Sequence, residues 1–103
     1  MGEKYKLNRD AENDLNEAFD WYESEQAGVG DKFLTKVIEK LNEISKKPNK
    51  YSIYYKNVRK ASVKVFPFYI IYTTKENFIS IIGIWHKSRN PAKLQERMDK
   101  EEK

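Results

Sequence analysis

The chain has 103 residues, the size of one domain, and sets 20 Lys plus Arg against 16 Asp plus Glu for a formal net charge of +4. It contains no cysteine, which excludes a disulfide framework, a thiolate metal site and a Cys nucleophile. Charged residues make up 35% and mean hydropathy is −0.89, values that border on disorder, but an aromatic content of 14% argues for a folded core.

Residues 4–7 alternate polar and apolar side chains and predict a short strand. Asn8 follows as a helix N-cap with Asp10 in the first turn. Ala11, Leu15, Ala18, Phe19 and Tyr22 then recur at helical spacing, with acids on the opposite face. Gly28 and Gly30 interrupt the pattern and predict a tight link to a second helix. That helix buries Phe33, Val37, Leu41 and Ile44, joined by Leu34 and Ile38, and Pro48 stops it. The two helices form an αα-hairpin.

After residue 50 the period changes from helical to alternating. Tyr51–Tyr55 predicts a strand. In the next strand Ala61, Val63 and Val65 are expected to face the core, and Lys60, Ser62 and Lys64 to face water. Pro67 marks a bend, and Phe68–Thr73 is rich in β-branched and aromatic residues. Phe78–Trp85, the most apolar stretch, fits a central strand buried on both faces. Pro91 opens a short C-terminal helix with Leu94, Arg97 and Met98 at helical spacing. The expected fold is α+β: an N-terminal strand and an αα-hairpin packed on one face of a twisted, mainly antiparallel sheet of four to five strands, then a short C-terminal helix. A single domain over 1–103 is expected, with residues 1–3 and 99–103 frayed.

The Phe78–Trp85 stretch is far shorter than the ~20 residues of a membrane span, and charge from Glu3 onward is unlike a signal peptide. The expectation is a soluble cytoplasmic protein without membrane association. The charge is polarised: residues 1–26 sum to −5, residues 27–57 to +4 and residues 58–92 to +5.

Three features bear on chemistry. Arg59, Lys60 and Lys64 cluster on one strand, with Lys56 just before, as a patch for an anionic target or as a solvated sheet face. His86, the only histidine, ends the most apolar strand, where it could act as an acid or base or simply bond at the sheet rim. Tyr51, Tyr54, Tyr55, Tyr69 and Tyr72 could stack nucleobases, but packing is favoured for most, because the aromatic-Gly-aromatic signature of RNA-binding sheets is absent. One His and no Cys make no metal site. The first helix's carboxylates fall mostly on its solvated face, so no paired acid/base site is indicated. No cofactor is expected.

Taken together, several motifs are specific in order and spacing. They are Ala11-x-x-Asp14-Leu15-x-x-Ala18, Trp21-Tyr22-Glu23, Gly28-Val29-Gly30-Asp31-x-Phe33 and Leu41-x-x-Ile44-x-x-x-Pro48. Val58-Arg59-Lys60-Ala61, Phe66-Pro67-Phe68-Tyr69-Ile70-Ile71-Tyr72 and His86-Lys87-Ser88-Arg89-Asn90-Pro91 complete the series. From about residue 5 to residue 92 the chain resembles the RelE/ParE superfamily of toxins from type II toxin–antitoxin modules. The resemblance implies a cytoplasmic, growth-inhibiting toxin neutralised by a cognate antitoxin in a hetero-oligomer.

Two mechanisms follow from the resemblance. RelE-like members are metal-independent endoribonucleases that cut mRNA on the ribosome; here Arg59, Lys64, His86 and Arg89 would be the catalytic candidates. Such members typically carry an Arg where this chain has Tyr69. ParE-like members inhibit DNA gyrase and carry no hydrolytic site, and His86-x-Ser88-x-Asn90 is similar to that branch. The ParE-like reading is favoured, with Lys60, Lys64, Lys87, Arg89 and Asn90 as target-binding residues. A degenerate member that only binds its antitoxin is the third possibility.

Overall fold

The structure, a computed structural model, describes residues 2–101. Strand β1 (Tyr5–Leu7) leads into helix α1 (Arg9–Glu25) and helix α2 (Val29–Lys46). Strands β2 (Ile53–Tyr55), β3 (Val58–Ser62), β4 (Phe68–Thr74) and β5 (Ile79–His86) follow, and helix α3 (Pro91–Glu101) closes the chain. The sheet order is β1-β5-β4-β3-β2, with β2 through β5 an antiparallel meander and β1 parallel to β5. The expected α+β architecture is present with five strands, and the parallel β1 makes β5 an interior strand.

Local chemistry explains the helix ends. Asn8 accepts the Ala11 N–H at 2.8 Å and caps α1. No side chain of Gly28 caps α2. Instead Glu23, on the last turns of α1, accepts the N–H groups of Gly28 and Gly30 at 2.9 and 2.8 Å. Gly28 has φ 91°, a left-handed conformation suited to glycine. Gly30 lies inside the first turn of α2, where a Cβ would come within 2.9 Å of the Phe19 carbonyl. It permits close helix packing rather than breaking the helix.

Two cores flank the sheet. Phe33, Val37, Leu41 and Ile44 of α2 pack with Ile70, Tyr72, Ile79, Ile81 and Ile84 on one face. On the other, Leu94 and Met98 of α3 cover Val58, Ile71, Ile82 and Trp85. A β-bulge shifts the alternation within β5: Ile71 pairs Gly83 and Tyr72 pairs Ile81, leaving Ile82 unmatched. The extra residue turns Ile82 towards α3 and returns Ile84 to the α1–α2 face. Helix α3 runs to Glu101, and Asp99 accepts the Tyr55 hydroxyl at 2.7 Å; of the ends expected to fray, residues 1, 102 and 103 lie outside the described residues. Residues Glu3 and Ser45 are joined by Glu3 N–H to Ser45 O at 2.9 Å.

Three expectations are corrected. The strand predicted over Tyr51–Tyr55 begins only at Ile53. Val65, expected in the core, is 83% exposed, because β3 ends at Ser62 and the following residues form an irregular turn. Phe66 instead turns inward and packs against Tyr22 and Phe33, with ring centres 5.0 and 5.3 Å apart. Ile38, expected on the apolar stripe of α2, is 43% exposed.

Candidate functional site

β1 ends at Leu7, three residues into its pairing with β5, and the remaining edge of β5 is closed by side chains. Asp14 of α1 accepts the Ile84 N–H at 3.0 Å, and Arg97 of α3 donates to the Ile82 carbonyl at 3.3 Å. The Asp14 carboxylate also receives Arg97, and receives Arg89 at 3.1 Å. Its side chain is 5% exposed, so the charge is buried and doubly compensated. Gly83, beside the bulge, leaves the room: a Cβ there would stand 3.2 Å from the Arg97 guanidinium. Arg89 and Arg97 both lie over the Trp85 ring, at 3.9 and 5.0 Å.

Asp14, Ile84 and Arg89 of this network line a slot of about 380 Å³ between α1 and the end of β5. Trp21, Tyr22 and Phe68 line its apolar wall; His86, Ser88 and Arg89 line the polar one. His86 Nδ1 accepts the Ser88 N–H at 3.0 Å and lies 2.7 Å from the Ser88 hydroxyl. An accepting Nδ1 places the proton of the neutral ring on Nε2. Phe68 packs edge-on against the imidazole at 4.9 Å.

The other basic residues divide between two places. Lys60 lies over the rings of Tyr54 and Tyr69, 4.5 Å from each centre, and Lys87 lies over Tyr69 at 4.8 Å. Lys60 and Lys87 thus converge on one ring. Arg59 points elsewhere and donates to the Tyr51 carbonyl at 2.6 Å. Lys64 lies beyond the end of β3, so strand parity does not set its direction. It and Lys40 help hold the Glu43 carboxyl below the ordinary range, with the Lys40 hydrogen bond the largest cause. Asn90 spends its side-chain oxygen on the Ala92 N–H at 2.9 Å, at the start of α3. Of the endoribonuclease candidates, only His86 and Arg89 line one slot.

Asp14, Arg97 and Glu23 were not singled out by chemistry in the sequence. Asp14 and Glu23 stood in the resemblance motifs, which was the available signal. Arg97 registered only as a helix-spacing residue. Among the described residues, no group of three or more His, Cys, Asp or Glu side chains could hold a metal ion. Among them, no helix is long and apolar enough to cross a membrane.

Comparison with known proteins agrees with this geometry. Residues 5–91 match the family described as the ParE toxin of type II toxin-antitoxin system, parDE. The chain is 25% identical over 96 residues to Toxin ParE2 of Mycobacterium tuberculosis, in strains CDC 1551 / Oshkosh and ATCC 25618 / H37Rv. That match covers 92% of this chain and 91% of the relative. In fold it is similar to a chain of the chromosomal ParDE TA system from P. aeruginosa, with a TM-score of 0.73 at 20% identity, over 82% of this chain and 95% of that one. With the family matched across nearly its whole length, the chain belongs to the ParE toxins of type II toxin–antitoxin systems.

Proposed function

We propose that this toxin arrests growth by inhibiting DNA gyrase, and that Lys60, Lys87 and Arg89 make the main contacts with its target. The observation that carries this reading is at Tyr69. Where a RelE-like nuclease typically carries an Arg, this chain has a tyrosine ring under Lys60 and Lys87. Lys64 and Asn90 belong to the same proposed target surface as outlying members, since Asn90 also holds the start of α3. The cognate antitoxin is proposed to cover the exposed apolar side chains Trp21, Ile38 and Val65, which are 58%, 43% and 83% exposed. The pair would act in the cytoplasm as a toxin–antitoxin hetero-oligomer.

Inducible expression should arrest growth, and co-expression of the product of the adjacent small open reading frame should relieve it. Supercoiling by purified gyrase should stop at toxin concentrations that leave mRNA intact in a translating extract. Cleaved mRNA with normal supercoiling would instead indicate the ribosome-dependent endoribonuclease. Antitoxin binding without either effect would indicate a degenerate member. Trp21→Ala should weaken antitoxin binding by about 2 kcal/mol, ~30-fold in Kd, by calorimetric titration.

A further inference from the structure

A second cleft lies towards the other edge of the sheet from the α1 slot, along the open edge of β3. β2 pairs only with Val58 and Arg59, and Lys60 N–H then reaches the Ser52 carbonyl at 3.2 Å. Beyond that point no strand pairs with the outer edge of β3 among the described residues. The resulting cleft of about 480 Å³ brings together Lys40, Lys50, Lys60, Ser52, Ser62 and the rings of Tyr51 and Tyr69.

Its cations are held in place over aromatic rings, and among the described residues Lys50 and Lys60 make no ion pair. Lys40 and Lys50 lie over Tyr51 at 5.4 and 5.6 Å, and Lys60 lies over Tyr69 at 4.5 Å. A ring quadrupole orients an ammonium group but carries no net charge to cancel it. Lys40 is only 8% exposed and is ion-paired with Glu43 at 3.2 Å. No carboxylate lines the cleft among the described residues, so Lys50 and Lys60 add positive charge with no counter-ion on its wall. A fitting ligand carries at least two negative charges, accepts from ammonium and hydroxyl donors, and presents a flat π-face to tyrosine. A nucleotide meets all three requirements. An acidic peptide meets the first two without the stacking surface.

We propose that this cleft binds the phosphate groups of a nucleotide, free or within a single strand, with Lys40, Lys50 and Lys60 on the phosphates and Tyr51 and Tyr69 beside the base. The site does not depend on gyrase being the target, and its test requires no gyrase. Purified toxin would be titrated with ATP, with an oligothymidylate of about eight nucleotides, and with polyglutamate, each at several salt concentrations. Binding of ATP alone would assign a free nucleotide, and binding of the oligonucleotide a nucleic-acid strand; either supports the site.

The double variant Lys50→Met/Lys60→Met should bind about tenfold more weakly, and its salt slope for the oligonucleotide should fall by about 1.4. Lys75→Met, on an exposed turn, should match the unmodified chain. Amide chemical shifts mapped on the unmodified protein should move at Ser52 and Ser62, which gives a readout independent of how the variant folds. The proposal is overturned if neither nucleotide probe binds at low salt, if those shifts stay still, or if polyglutamate binds as tightly as the oligonucleotide.

Discussion

Val65 and Tyr72 are two residues whose surroundings reverse or extend what their types suggest. Val65 sits at φ 75°, a left-handed conformation that a β-branched residue adopts at a cost of ~1–2 kcal/mol. Phe66 imposes it, since its ring must reach Tyr22 and Phe33 while Pro67 follows. Phe68 N–H bonds the Phe66 carbonyl at 2.8 Å, a tight turn centred on Pro67. Val65→Gly should therefore raise stability by about 0.5–1 kcal/mol in urea unfolding, the relieved strain exceeding the extra freedom of glycine in the unfolded chain. If Val65 belongs to the antitoxin surface, the same variant should bind antitoxin more weakly while being more stable.

Tyr72 is fully buried and its hydroxyl donates to the Pro48 carbonyl at 2.6 Å. Burial pushes its pKa up to about 12, from an ordinary value of 10.0, against the nearby Arg59 charge, which lowers it. Between those values the folded state holds a proton that the unfolded state has lost. Stability should therefore fall as pH rises from 10 through 12. Tyr72→Phe should flatten that alkaline decline in denaturation measured against pH, and cost about 1 kcal/mol at neutral pH for the lost hydrogen bond.

At the scale of elements, the α1–α2 connection depends on one carboxylate. Glu23 supplies the capping that Gly28 lacks, and its negative charge also suits the positive end of the α2 dipole. Glu23→Ala should cost about 1–2 kcal/mol, and Glu23→Gln about half as much, by thermal unfolding. The αα-hairpin itself was legible from periodicity and glycines, because both are local. That Glu23 caps the next helix was not, since the contact spans five to seven residues across a turn whose geometry has to exist first. The strand ends were misread for a related reason. Alternation in Lys60–Val65 continues to Val65, but backbone bonding to β4 ends with the Val63 N–H on the Phe68 carbonyl at 2.9 Å, so the pattern outlasts the strand.

At the scale of the whole molecule, Asp14 joins α1, the bulged end of β5, the 86–90 loop and α3. Asp14→Ala should destabilise by about 3–5 kcal/mol, because Arg97, 14% exposed, is left without its main partner. Asp14→Asn should cost less, since it keeps an acceptor for the Ile84 N–H. Both are measured by urea unfolding; the difference between them reads the acceptor for the Ile84 N–H, since both variants remove the charge, and equal losses would assign the whole cost to the unpaired arginines.

The acidic first quarter and basic middle also take on a location in space. Lys40, Lys50, Lys60 and Lys87 come from α2, the loop before β2, β3 and the loop after β5, yet gather around Tyr51 and Tyr69. Composition registers such charges only as a sum, whereas the sheet register decides which of them are neighbours.

Periodicity, turn residues and motif spacing in the amino-acid sequence were enough to determine the α+β class, the order of the elements, the burial of β5 on both faces and the resemblance to these toxins. Each depends on near neighbours along the chain. The tertiary structure alone decided the β5 bulge, the buried Asp14 charge and its two arginines, the outward Val65, and the separation of Arg59 and Lys64 from the His86 slot. Those depend on contacts between residues such as Asp14 and Arg97, 83 positions apart, whose energies arise only once the sheet edge is formed and water is excluded from it.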